Sequence, residues 1–162
     1  MEEYDMKKYR VLGIIQILFA AGIIGFWIMF YVSVYSEKLP DPSLENCYQP
    51  PVSGQCLTRV IEYERYLSFE KAFPLPDLGW ITPLLLIGGT GLLKNRRYGY
   101  LASLLAGAAL VFLGLVDISF NLQNGRYTFD LIEGLMNGFI NLACAVFGPV
   151  LIILTSRELK LK

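Results

Sequence analysis

From Val11 to Tyr35 the chain carries no charged residue. A helix of that length, at about 1.5 Å per residue, outruns the ~30 Å hydrocarbon core of a bilayer. Three further stretches, about 73–93, 98–120 and 131–155, have the same apolar character. The predicted fold class is therefore an all-α integral membrane protein, a four-transmembrane-helix bundle forming a single membrane domain over 1–162. The rest is connection. An outer loop covers about 36–72 and a short outer loop about 121–130, while Lys94 to Arg97 make a turn so tight that the second and third spans must form an antiparallel hairpin. A soluble bundle would need a polar face on each helix, and neither Leu84 to Leu93 nor Leu104 to Val116 has one.

Composition agrees and narrows the chemistry. Hydrophobic residues make up 54% of the chain and the mean hydropathy is +0.47, above what a soluble domain carries. Lys and Arg balance Asp and Glu at 14 each, leaving neither a basic stripe for nucleic acid nor an acidic tail. Histidine is absent, which removes the usual general base, the commonest zinc ligand and the usual switch near neutral pH.

The cations orient the bundle. Lys7, Lys8, Arg10, Lys94, Arg96, Arg97, Arg157, Lys160 and Lys162 fall on the side shared by the termini and the tight turn. Lys38, Arg59, Arg65, Lys71 and Arg126 fall on the other. The positive-inside rule then puts both termini in the cytoplasm of a plasma-membrane protein, with the long loop outside. The first apolar run exceeds the 7–15 residues of a signal-peptide core, so it reads as a retained signal-anchor.

Cys47 and Cys56 lie in that outer loop, in a turn-rich stretch where oxidising conditions favour a disulfide. Their spacing does not suit a CxxC dithiol or a paired-CxxC zinc site. Cys144 sits in an apolar span and reads as a small packing residue. Leu57 to Phe73 has the pattern of an interfacial helix, and Tyr63, Tyr66 and Trp80 suit the aromatic belt. Small residues stand in helix-packing register at Ala21 and Gly25, Ser103 and Gly107, and Gly134 and Gly138, with Gly88, Gly89 and Gly91 between them in the chain.

Depth sorts the polar residues of the spans. At 1.5 Å per residue from the cytoplasmic cations, Asp77 lies about 25 Å from Lys94, Asp117 about 30 Å from Arg97, and Asn141 and Asn137 about 24 and 30 Å from Arg157. They share one layer near the outer boundary, with Asn121, Gln123, Arg126 and Glu133 just beyond, and the middle of the bundle is expected to be dry. Arg126 is a candidate partner for a carboxylate. Three readings compete. Asp77 and Asp117 cap helix ends at headgroup level; or the layer is a pocket binding a lipid headgroup, small polar solute or hard cation; or the carboxylates are an acid and a base. No nucleophile–base pair, metal cluster or nucleotide loop accompanies them.

The stretch Glu70-Lys-Ala-Phe73-Pro74-Leu-Pro-Asp77, the Arg96-Arg97-Tyr-Gly99 turn, and Asp117 before Asn121 and Gly125-Arg-Tyr127 together resemble small uncharacterised prokaryotic four-span membrane proteins over about 70–127. The topology and the spacing of the loop cysteines also resemble the claudin family. The tryptophan pattern that precedes the cysteines in claudins is missing, since Leu39 to Asn46 contain no tryptophan. The CxxC of vitamin K epoxide reductase-like proteins is absent.

The resulting expectation is a non-enzymatic protein, without cofactor or nucleic-acid partner, that recognises a lipid or small polar ligand in an outward pocket. Its candidate residues are Glu70, Asp77, Asp117, Asn121, Arg126, Asn137 and Asn141. The alternative is an assembly partner of another membrane protein or of a second copy. An oligomeric channel, a transporter and a carboxylate-based enzyme stand behind both.

Overall fold

The structure, a computed structural model, describes residues 3–35, 61, 64–129 and 131–161. These residues are helical throughout apart from short turns. Helix α1 spans Glu3–Tyr35, α2 Thr82–Leu93, α3 Arg97–Gln123, α4 Arg126–Phe129 and α5 Leu131–Leu161. Among the described residues three stretches are long and apolar enough to cross a bilayer, Lys7–Val32, Arg97–Gln123 and Gly134–Leu159, so the chain is a multi-pass membrane protein. Cys47 and Cys56 lie outside the described residues, as do positions 57–60, 62 and 63 of the expected 57–73 helix, of which 64–70 is helical.

The expected second span is not among those three, and proline explains why. Pro74 and Pro76 open it with a single helical turn, Pro74–Pro76, and a π-helical turn, Asp77–Ile81, follows before α2 begins. Pro83 has no N–H, and in a regular α-helix its ring would collide with the carbonyl four residues back, at Gly79. Widening the preceding turn relieves this, and the Thr82 N–H bonds to the Asp77 carbonyl, five residues back. The expected short outer loop is also mostly helical. α3 runs on to Gln123, Gly125 takes a φ of 64° to reverse the chain, and α4 begins at once.

Contacts divide the chain into two compact units, Met1–Ala20 with Pro83–Lys162, and Ala21–Thr82. In the first unit the helices meet backbone to backbone. A Cβ built on Gly13 would lie 2.7 Å from the Gly89 carbonyl oxygen, and one on Gly89 would lie 2.7 Å from that of Gly13. Gly107 and Gly148 oppose each other in the same way across α3 and α5, at 2.7 and 2.8 Å. Close approach of this kind replaces the missing hydrophobic drive between helices in lipid with dispersion and weak Cα–H···O contacts.

Of the expected packing residues, Gly88 and Gly107 serve these crossings, and Gly134 seats α4, where a Cβ would strike the Tyr127 carbonyl. Gly25 does not: nothing among the described residues lies within 4 Å of a Cβ there, and Ala21 is exposed. Gly138 has only ordinary contact with the Tyr127 ring.

The turn between α2 and α3 is a Schellman motif. The Arg96 N–H bonds to the Gly91 carbonyl at 2.8 Å and the Asn95 N–H to the Leu92 carbonyl at 3.0 Å, with Asn95 left-handed at φ 50°. The Tyr100 hydroxyl donates to Asn95 Oδ1 at 2.9 Å. Tyr9 packs edge-on against Tyr100, ring centroids 5.2 Å apart, and its hydroxyl lies 3.1 Å from Glu158 Oε1. One end of this unit thus gathers the start of α1, the α2–α3 turn and the end of α5, as the distribution of cations requires.

The expectation of a dry interior needs correction. Gln16 and Ser103 are both fully buried, and each lies about 9 Å, six residues, inside the basic end of its helix. The Ser103 hydroxyl shares its proton between the Gly99 carbonyl at 2.7 Å and Gln16 Oε1 at 3.1 Å. Gly88 makes room for the pair, since a Cβ there would fall 2.6 Å from Gln16 Oε1 and 2.7 Å from Ser103 Oγ.

Candidate functional site

Asp77 belongs to the Ala21–Thr82 unit and begins the π turn. Asp77 stands in the first turn of the π segment, as the capping reading expects, but its side chain makes no cap bond to a backbone N–H among the described residues. Instead the carboxylate is buried, and Oδ2 accepts the indole N–H of Trp27 at 2.9 Å. Trp27 is itself 1% exposed, packed edge-on to Phe26 and Phe30 at 5.3 and 5.2 Å. The indole must bury its polar N–H to pack this way, and the aspartate supplies the acceptor. Oδ1, the second oxygen, has no hydrogen-bond partner among the described residues, and neither does the buried Thr82 hydroxyl. Glu70 lies in the same unit, half-buried at the end of the 64–70 helix, and Trp80 is exposed as an interfacial residue should be.

The other candidates belong to the larger unit. Asp117 and Asn121 lie on α3, Arg126 opens α4, and Asn137 and Asn141 lie on α5. α3 and α5 run antiparallel, with Gly107 against Gly148 and Gly114 against Asn141. Continuing that register brings Asn121 level with the turn from Gly134 to Asn137. Asn141 is buried, and its amide donates to the Tyr127 hydroxyl at 2.9 Å, pinning α4 to α5. Asn121 and Arg126 are buried as well, while Asp117 is half-buried. The Asn121 Oδ1 and Asn137 Nδ2 atoms are buried without hydrogen-bond partners among the described residues. The seam therefore holds, about one helical turn apart in depth, an acceptor and a donor that are unsatisfied among the described residues. Cys144, also buried, lines the seam where its Cβ packs against Gly114.

No group of three or more Cys, Asp or Glu able to hold a metal ion occurs among the described residues. Sequence reasoning missed Trp27, Tyr127 and Gln16. Two signals were there to find them: a tryptophan inside an apolar span needs an acceptor if buried, and one amide in an otherwise apolar run marks a contact with another helix. Comparison with known proteins adds nothing to these residues: no family model, curated protein or solved structure matches the chain.

Proposed function

We propose that the chain is a non-enzymatic, four-span protein of the plasma membrane that recognises a lipid headgroup, small polar solute or cation at its outward end. The observation that carries this reading is a pair of buried atoms in the α3–α5 seam, Asn121 Oδ1 and Asn137 Nδ2, without hydrogen-bond partners among the described residues. A buried amide atom without a partner costs on the order of 1–3 kcal/mol. A fold keeps such a cost where a ligand or ordered water completes the bonds. Asp77 Oδ1, in the other unit, has the same character.

The test compares wild type, Asn137→Leu and Asp77→Asn in thermal unfolding with short-chain lipids and divalent cations. Wild type gains stability from at least one of them and a variant loses that gain. Without ligand, Asn137→Leu is as stable as wild type or more so, because its orphan donor is gone. Equal stabilisation of all three proteins by every compound would exclude the reading.

An assembly role is the second reading, favoured by the open α1 surface at Leu18, Gly22, Gly25, Met29 and Val32. Gly25→Leu serves as its arm of the same experiment: it would displace a co-purifying partner while leaving ligand responses unchanged. Gly134 cannot serve, since its space is taken by Tyr127.

The four-span topology rests on Pro74–Leu93, a continuous helical run across the π turn of about the 20 residues a span needs. With both termini cytoplasmic, Cys47 and Cys56 are outside and joined. In intact cells, a membrane-impermeant maleimide is expected to label Cys47 and Cys56 only after reduction. A cysteine added after Lys162 reacts only after permeabilisation. Labelling of the added cysteine in intact cells would overturn the orientation.

A further inference from the structure

At the basic end of the larger unit, opposite the α3–α5 polar seam, lies a cavity of about 120 Å³ lined by Tyr9, Arg10, Leu92, Leu93, Lys94, Asn95 and Tyr100. We infer that this cavity binds a phosphate group, with Arg10 and Lys94 as its charged donors. Among the described residues the lining holds two cations and no carboxylate. Arg10 offers a planar fork of N–H groups and Lys94 a three-donor ammonium, the two side-chain types that recognise phosphate.

The polar wall is fixed in advance. Tyr100 bonds to Asn95 at 2.9 Å, the Schellman turn holds Asn95 and the backbone beneath Lys94, and Tyr9 is anchored to α5 through Glu158 and the Leu154 carbonyl. A site built this way loses little freedom when it is filled. α3 starts just after the turn, at Arg97, with no side-chain cap on its first N–H groups, so the positive end of a 27-residue helix dipole adds to the field.

Position and the apolar wall bear on what carries the phosphate. Arg10 and Lys94 end their apolar stretches at the level of lipid headgroups, and Leu92 and Leu93 continue the cavity wall toward the hydrocarbon. Basic pockets between helices at this level hold anionic headgroups. A soluble phosphate would use the same donors without the leucines.

The experiment uses the full chain in a neutral detergent and reads thermal stabilisation and retained adducts in native mass spectrometry. The probes are dihexanoyl phosphatidic acid, dihexanoyl phosphatidylcholine and inorganic phosphate. The wild type is expected to bind phosphatidic acid in preference to the zwitterionic lipid. Arg10→Gln and Lys94→Gln each weaken that binding by roughly 5-fold, and together by roughly 30-fold, as loss of one and two juxtamembrane cations should. Arg157→Gln removes the same charge from the same end but outside the cavity, and leaves binding unchanged. Binding of inorganic phosphate as strong as that of phosphatidic acid assigns the site to a soluble phosphate; binding of the lipid alone assigns it to a headgroup. Equal losses in Arg157→Gln and in the cavity variants would show diffuse attraction to a basic face and overturn the site, as would undiminished binding in the double variant. Arg10 and Lys94 are exposed, so the variants keep the fold, and an unchanged elution volume and helical circular dichroism verify it.

Discussion

Alanine at Gly91 or Gly99 is expected to leave little folded protein. A Cβ on Gly91 would strike the Gly99 Cα and lie 2.7 Å from its nitrogen, and one on Gly99 would strike the Gly91 carbonyl carbon and lie 2.5 Å from the Leu92 nitrogen. These obstacles are backbone, so no rotamer change clears them. The chain cannot simply open either, because only a short turn joins α2 to α3 and its two Schellman bonds fix the hairpin angle. Overpacking of a core usually costs about 1–3 kcal/mol, and with rigid obstacles on both sides the cost should reach about 3 kcal/mol or more. Gly138→Ala is the matched control, since among the described residues its new methyl would meet nothing nearer than the Tyr127 ring at 3.9 Å. Melting temperature and monodispersity in detergent decide the matter. A Gly91→Ala protein as stable as Gly138→Ala would show that the backbones do not cross this closely.

The second large effect is expected at Trp27. Trp27→Phe keeps most of the aromatic packing but removes the N–H that Asp77 accepts, leaving a buried carboxylate with neither oxygen bonded by the indole. Removing the neutral donor strands a buried acceptor, at a cost of about 1–3 kcal/mol or more. Asp77→Asn keeps an oxygen for the indole and should cost much less. The double variant Trp27→Phe with Asp77→Leu has no stranded group and should recover much of the loss. A thermodynamic cycle over these variants measures the coupling. If Trp27→Phe melts with wild type and the cycle closes without coupling, the indole is not the aspartate's partner. The cycle also separates fold from function, because Asp77→Asn should stay folded while losing any ligand that needs the charge.

Hydropathy reveals the long apolar helices because their signal is local: a run of uncharged residues is enough. The depth count grouped polar residues by level along their helices, and Asp77, Asn121, Arg126 and Asn141 are buried. Pairing is another matter. Gln16 with Ser103 and Trp27 with Asp77 join residues 87 and 50 positions apart, and no local pattern announces either. Gln16 lies far from the outer polar layer, and its neutral amide sits in an otherwise apolar run. Glycine motifs identify residues that could pack closely without saying which do: Gly107 does and Gly25 does not, and Gly13 and Gly148 take part without having been singled out. Pro83 stood in plain sight. That it would be absorbed by a widened turn rather than a break follows only when the neighbouring bonds are counted together.

The glycine crossings have a consequence for how this protein tolerates change. In most cores a contact is made of methylenes, and alanine deletes it. At Gly13, Gly89, Gly91, Gly99, Gly107 and Gly148 the contact is made by hydrogen standing where a carbon could be, and alanine is the intruder. A scan that takes alanine as the neutral reference would therefore rank these helices backwards, crediting the large lipid-facing side chains and registering the true seams as sites of injury. For this chain the informative series runs upward in size, from glycine to alanine to serine to valine, and the steepness of each response measures how nearly two backbones touch.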